Sequence, residues 1–430
     1  MLSMQRTFLI IILLGLSWTG LLAQYENFVN KDTIYDPNIA TVEFYNAYDR
    51  FGMPAINLNS DSYLILNFDE MRLDFNDFFY TIVHCNYDWE KSNLNTLEYL
   101  DGFDEDDIRD ESFSRTRFIG YNHYSLRLPN RNMRPKVTGN YLLHIYRYDQ
   151  VKQPILTRRF IVYEPRIPVE PRVTFPIVND PGVQYQEIDF NLKTNDPEIQ
   201  NPMVNIKVDV YQNGRWDNPI KGLKANFAGQ DVLKFNYVNR VVFSGLREFR
   251  FLDLRSSRLL SRDMRDIEET DEGIFVTMET SRSRLNRPYF FFKDINGSFF
   301  VENQDLNLRD SDLSAEYINV LFSYYAPYPF YEKEVYLFGK FSDWQMLPKY
   351  KMEYSEQASS YVLEVLWKQG WYEYTFSIVD EGAKEADMTI SEGGRFETEN
   401  DYYFFVYYRN PVERFDRIVG YRKMSTIQFE

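Results

Sequence analysis

Apolar and polar positions alternate with a period of two along most of the chain, in short runs divided by turn residues. In residues 371–379, Tyr372, Tyr374, Phe376 and Ile378 fall on one face, and Glu373, Thr375 and Ser377 fall on the other. Successive side chains of a strand point to opposite sides of its sheet, so this run predicts a half-buried strand. Runs at 335–340 and 361–367 precede it, with a turn at Ser342-Asp343-Trp344 and Gly370 ahead of the third run. Together they predict a small antiparallel β-sandwich with one wet face.

The same alternation recurs from the N-terminal side. Runs at 41–46, 62–69, 79–85, 123–128, 141–148 and 157–163, with turn signals at Pro129-Asn130 and Thr138-Gly139-Asn140, predict one sandwich over residues 24–166. Pro165, Pro168 and Pro171 then mark an extended, semi-rigid connector. A second unit, 167–313, is expected from runs at 186–194, 203–212, 232–236, 249–254, 273–280 and 289–296. The charged stretch 259–269 within it reads as a connecting loop or one helical turn. The third unit, 314–430, is expected to begin with a strand at 317–324 and to end with strands at 402–408 and 417–421. No short-period repeat appears, which disfavours solenoids and propellers. The fold class expected is all-β, a tandem of immunoglobulin-like or early-set β-sandwiches.

Residues 1–23 place Arg6 before the apolar run 8–16 and end on Ala23, the layout of a secretory signal peptide cleaved after that alanine. The apolar run is too short to span a bilayer, and no later segment reaches eighteen apolar residues. Cys85 is the only cysteine, so an internal disulfide is excluded and no lipid-bearing cysteine is expected after the cleavage point. A formal charge of −16 repels nucleic acid and anionic lipid. Thirty-four tyrosines and 35 phenylalanines suit pleated surfaces, and also the aromatic girdles of an outer-membrane barrel. Arg247, Arg250 and Asp253 would place charge on a lipid-facing side, which argues for the sandwich.

Catalytic patterns are missing. His84, His123 and His144 lack the spacing of a helical metal site, and His84 and Cys85, as strand neighbours, point to opposite faces. No nucleophile elbow, phosphate loop or dinucleotide fingerprint occurs, and nothing singles out a pair among the 64 acidic residues. The acidic segment 97–111, LEYLDGFDEDDIRDE, lacks the calcium-loop order and reads as a solvated loop or one that faces a basic partner. The expectation is a protein with no catalytic, cofactor-binding or metal-binding residues.

Two resemblances bear on function. Residues 339–344, GKFSDW, and 370–376, GWYEYTF, are similar to the early-set modules that include glycogen-binding domains, although Thr375 stands where that family has a Lys. If sugar binding were retained, it would make the chain an exported carbohydrate-binding protein, with Trp344 and Trp371 as the contacts. A broader resemblance rests on TIVHCNYDW at 81–89, EYLDGF at 98–103, YNHYSLRLPN at 121–130, GNYLLHIY at 139–146, SGLREFRFLDLRS at 244–256, GKFSDW at 339–344 and FETENDYYFFVYYR at 396–409. In these segments the chain resembles the plug proteins of the type IX secretion system of Bacteroidetes. That resemblance implies a periplasmic, non-enzymatic subunit that closes the periplasmic mouth of a giant outer-membrane translocon barrel when no cargo is passing. A reversible seal calls for a polar-rimmed contact with a few aromatic anchors. The candidate contacts are Asp101, Asp104, Asp106 and Asp107 in the acidic loop, and Arg247, Arg250, Arg255 and Arg258 in the arginine-rich stretch.

Overall fold

The structure is a computed structural model that describes residues 28–426 apart from 75, 150, 179, 181 and 306–309. The expected signal peptide lies outside the described residues. The chain is all-β, and its sheets pair into three sandwiches, each around its own apolar core.

In the N-terminal sandwich, one sheet runs Ile39–Asn46, Leu64–Glu70, Asn122–Leu128, Asp110–Phe113. It faces a second sheet built on Phe79–Cys85, Gly139–Asp149 and Val151–Tyr163. Alternate residues such as Leu64, Leu66 and Phe68 meet Tyr80, Ile82, Tyr141 and Leu143 in the core between them. The runs read from alternation match these strands closely, because each buries one face and exposes the other.

Strand pairing divides the rest of the chain differently from the linear boundary expected at 313/314. Asp401–Tyr408 pairs with Ile206–Gln212, and Arg417–Ser425 lies beside it, so the last two strands complete the middle sandwich. Arg250–Asp253 pairs with Gly370–Asp380, and Ile274–Met278 pairs with Tyr317–Tyr325, so both belong to the third sandwich. The third sandwich is therefore inserted between two strands of the middle one. Its entry and exit segments lie side by side: Asn400 Nδ2 donates to the Gly245 carbonyl at 2.8 Å, and Arg395 N donates to the Leu246 carbonyl at 2.8 Å. The proline-marked connector is also tied down, since Val169–Thr174 forms a strand with Pro171 opposite Phe190.

Three local expectations change. Met264–Glu269 is a strand, not a loop or helical turn. It sits at a sheet edge, where charged side chains are favoured because they block pairing with another chain. Residues 289–296 form no strand. The side of Gly370–Asp380 expected to be wet is buried at Glu373, Thr375 and Ser377. Backbone N–H groups of Ile295 and Gly297 donate to the Glu373 carboxylate at 2.8 and 2.9 Å, and Asp387 N donates to Ser377 Oγ at 3.0 Å. Ile295 and Gly297 thus spend their backbone donors on the buried carboxylate of this polar sheet face, and burial raises the Glu373 pKa well above the usual carboxylate range.

Candidate docking surface

The acidic loop is built, not slack. Leu100–Gly102 pairs with Met133–Pro135, and Gly102 has φ +103°. A Cβ on Gly102 would stand 2.1 Å from the Asn132 carbonyl oxygen, so only glycine fits this turn. The next residue, Phe103, donates its N–H to that carbonyl at 2.8 Å and is itself 61 % exposed. Beyond it, Glu105 accepts from Tyr146 at 2.7 Å, Tyr148 at 3.1 Å and Lys152 at 2.9 Å, and Lys152 and Tyr146 hold its carboxyl below the usual range. Asp106 accepts from Tyr80 at 3.2 Å and Asn132 at 2.8 Å, and Asp107 is paired to Arg109 at 2.7 Å. Asp101 and Asp104 stand exposed beside Phe103, while Tyr148 is half exposed. The result is an acidic rim around aromatic side chains, held by its own hydrogen bonds.

The arginine-rich stretch is used internally. Arg247 is buried and donates to the carbonyls of Arg287 at 2.6 Å and Pro288 at 3.3 Å. Arg250 binds Glu392 at 2.8 Å, and Arg284 binds the same carboxylate. These two guanidinium groups hold the Glu392 carboxyl down to about 2 against the burial that would raise it. Arg255 pairs with Asp253 at 2.7 Å and Glu302 at 3.3 Å. Arg258 is exposed, on the wall of a cavity it shares with Arg115 and Arg117. Among the described residues, no hydrogen bond or ion pair joins the four arginines to the four aspartates of the loop.

Neither tryptophan offers a free sugar platform. Trp344 is 3 % exposed, follows Asp343 in a left-handed turn, and packs on Phe249 and Phe338. Trp371 is stacked on Phe251 at 4.7 Å, with the Arg255 guanidinium 5.3 Å from its ring. Cys85 is buried, and that burial pushes its thiol up to about 12. His84 is held between Ser92 Oγ at 2.8 Å and the Thr138 carbonyl at 3.2 Å.

Two of the junctions that fix the sandwiches to one another are an apolar seam and a buried charged cluster, and alternation did not reveal either. On one face of the middle sheet, Tyr211, Tyr403, Phe405, Tyr407 and Ile418 pack against Met53, Cys85, Trp89, Leu142 and Ile161 of the N-terminal unit. The other face of the same sheet carries Val208, Val210, Phe404 and Val406 into the middle core, so residues 402–408 are buried on both sides. The second junction joins the N-terminal and third units through charge. Register sets Asp69 opposite His123 on one side and Tyr317 opposite Lys368 on the other. Asp69 meets Lys368 at 2.7 Å, Tyr317 at 2.8 Å and His123 at 2.7 Å, with the Asp69 and Lys368 side chains each 1 % exposed. Lys368 also donates to the Asp312 carbonyl at 2.7 Å, and Tyr121 donates to the same oxygen at 2.9 Å. A buried charge that is fully hydrogen-bonded fixes one arrangement, because any slip leaves it unpaired.

Of the residues that matter to this surface, Phe103, Glu105 and Tyr148 were not picked out from the sequence. The only signal for Phe103 was an aromatic residue directly after Gly102 inside an acidic run.

No curated protein matches the chain. A crystal structure of a hypothetical protein from Parabacteroides merdae ATCC 43184 is similar at a TM-score of 0.86 and 28 % identity, covering 92 % of this chain and 99 % of that one. Residues 39–164, the N-terminal sandwich that carries the acidic rim, match the family model described as type 9 secretion system plug protein 1st domain, which relates this unit to type IX secretion.

Proposed function

We propose that the chain is a non-enzymatic periplasmic subunit of the type IX secretion system that seats in the periplasmic opening of the outer-membrane translocon barrel and closes it between cargo passages. The observation that carries this reading is the family match over residues 39–164, on the unit whose acidic loop presents Phe103. Three sandwiches locked by an apolar and a charged junction make a body that keeps its shape, as a stopper must. Barrels of the largest class enclose an aqueous lumen that leaks unless obstructed. The rim of Asp101, Asp104 and Glu105 around Phe103 and Tyr148 is the docking surface we assign. Exposed acids give orientation and reversibility, and an aromatic anchor supplies most of the affinity.

The test is affinity isolation of a tagged chain from envelopes in mild detergent. Recovery of a very large outer-membrane barrel is expected, reduced at least about tenfold by Phe103→Ala combined with Asp104→Lys, with the circular dichroism spectrum unchanged. Full recovery with that variant overturns the assigned surface. Loss of the gene is expected to make the outer membrane permeable to large solutes, and unchanged permeability overturns the plugging itself.

A further inference from the structure

All three sandwiches contribute to the wall of one partly open cavity. Its wall includes Arg50, Arg158 and Arg159 from the N-terminal unit, Trp216 from the middle unit, and Lys340 and Asp343 from the third. The space is about 50 Å³, room for a few waters or one small ion.

Each arginine here has a carboxylate of its own. Arg50 pairs with Glu43 at 2.8 Å, Arg158 with Asp343 at 3.2 Å and Arg159 with Asp32 at 3.4 Å. These pairs balance in charge. Lys340 is left as the one lining cation without an ion pair among the described residues. Burial pulls its ammonium group down to about 8, with Glu43 and Asp49 acting against that fall.

The hydrogen bonding is incomplete in the same sense as the charge. Arg50 Nε, Arg158 Nη2 and Arg159 Nε are buried with no hydrogen-bond acceptor. The Arg158 side chain is only 4 % exposed, and its Nη2 lies within ion-pair reach of Asp343. Buried donors are nearly always paired in folded proteins, so Arg50 Nε and Arg159 Nε, with Arg158 Nη2 held only by its ion pair, mark a missing acceptor. Water would satisfy the donors, but an anion would also pair with Lys340, which has no ion-pair partner of its own among the described residues.

We propose that this cavity binds a small oxyanion, of the chemistry shared by inorganic phosphate, sulfate and carboxylate. Its oxygens accept from the free guanidinium N–H groups, and its charge compensates Lys340. The free guanidinium donors come from the N-terminal unit and Lys340 from the third, and Arg159 lies 4.4 Å from the Trp216 ring of the middle unit. The anion therefore acts as a pin at the point where the three sandwiches converge.

The test uses the full chain, titrated with sodium phosphate, sulfate or acetate against chloride at matched ionic strength, and followed by calorimetry and thermal unfolding. A saturable response to at least one oxyanion is expected, and which arm responds identifies the geometry preferred. Lys340→Met, with Lys340→Gln as a second variant should the first fold poorly, is expected to weaken binding by at least about tenfold. Lys384→Met, at an exposed lysine, is expected to leave it unchanged. No saturable response beyond that of chloride, or equal affinity in a folded Lys340 variant, overturns the proposal.

Discussion

The buried contact between Asp69 and Lys368 gives the sharpest quantitative test of the fold. Lys368→Met removes one of the three donors on Asp69 and leaves the carboxylate in a site from which water is excluded. At 2.7 Å and an effective dielectric of about 20, the attraction lost is about 6 kcal/mol. The donors that remain, Tyr317 and His123, and partial relaxation recover some of this, so the net cost expected is about 3–5 kcal/mol. For roughly 400 residues unfolding together at about 2.1 cal/mol/K per residue, that cost lowers the midpoint by about 5 °C. Chemical denaturation and calorimetry read it directly. Asp69→Leu combined with Lys368→Met removes both charges and is expected to recover much of the loss, giving a coupling above about 2 kcal/mol. Small-angle scattering is expected to show an unchanged radius of gyration for Lys368→Met, because Tyr317 on Asp69 and Asp343 on Arg158 still tie the N-terminal and third units together. A variant within about 0.5 kcal/mol of the parent, or a coupling near zero, would refute the idea that this pair fixes the two units.

Asp209 supplies a pH test. Burial raises its pKa from 3.8 to about 6, so the folded chain holds a proton that the unfolded chain has released between those values, and stability falls as pH rises through that window. Asp209→Asn lacks this slope. It is expected to be more stable than the parent at pH 8 by up to about 3 kcal/mol and equal to it below about pH 3, as read by urea titration at each pH. Trp344→Ala is expected to cost about 3–5 kcal/mol by opening a cavity beside Phe249 and Phe338. On a glucan gel the folded fraction of that variant is expected to run as the parent does, and selective loss of retardation would return the sugar reading.

Alternation in the sequence was enough to place most strands, because a strand with one dry face writes a period of two into its side chains. Leu64–Glu70, Phe79–Cys85 and Tyr317–Tyr325 were legible for that reason. The glycine-led acidic loop was legible as a surface feature, but its aromatic anchor was not, since exposure of Phe103 depends on a turn closed by Asn132, 29 residues further along the chain. Met264–Glu269 escaped notice because an edge strand carries charge where an inner strand carries apolar residues.

What the chain could not announce locally was partnership. Whether Asp401–Tyr408 completes the middle sandwich or the third one depends on which strand it pairs with nearly two hundred residues earlier. Whether Glu373 faces water or the backbone of Ile295 depends on a loop folding over it. The arginines from Arg247 to Arg255 looked available in the sequence and are instead committed to carbonyls and carboxylates far along the chain. Period and turn chemistry act over a few residues, so the sequence by itself determined the elements and the absence of any familiar catalytic pattern. Pairing, insertion and burial of charge act between distant segments, and only the tertiary structure decided them.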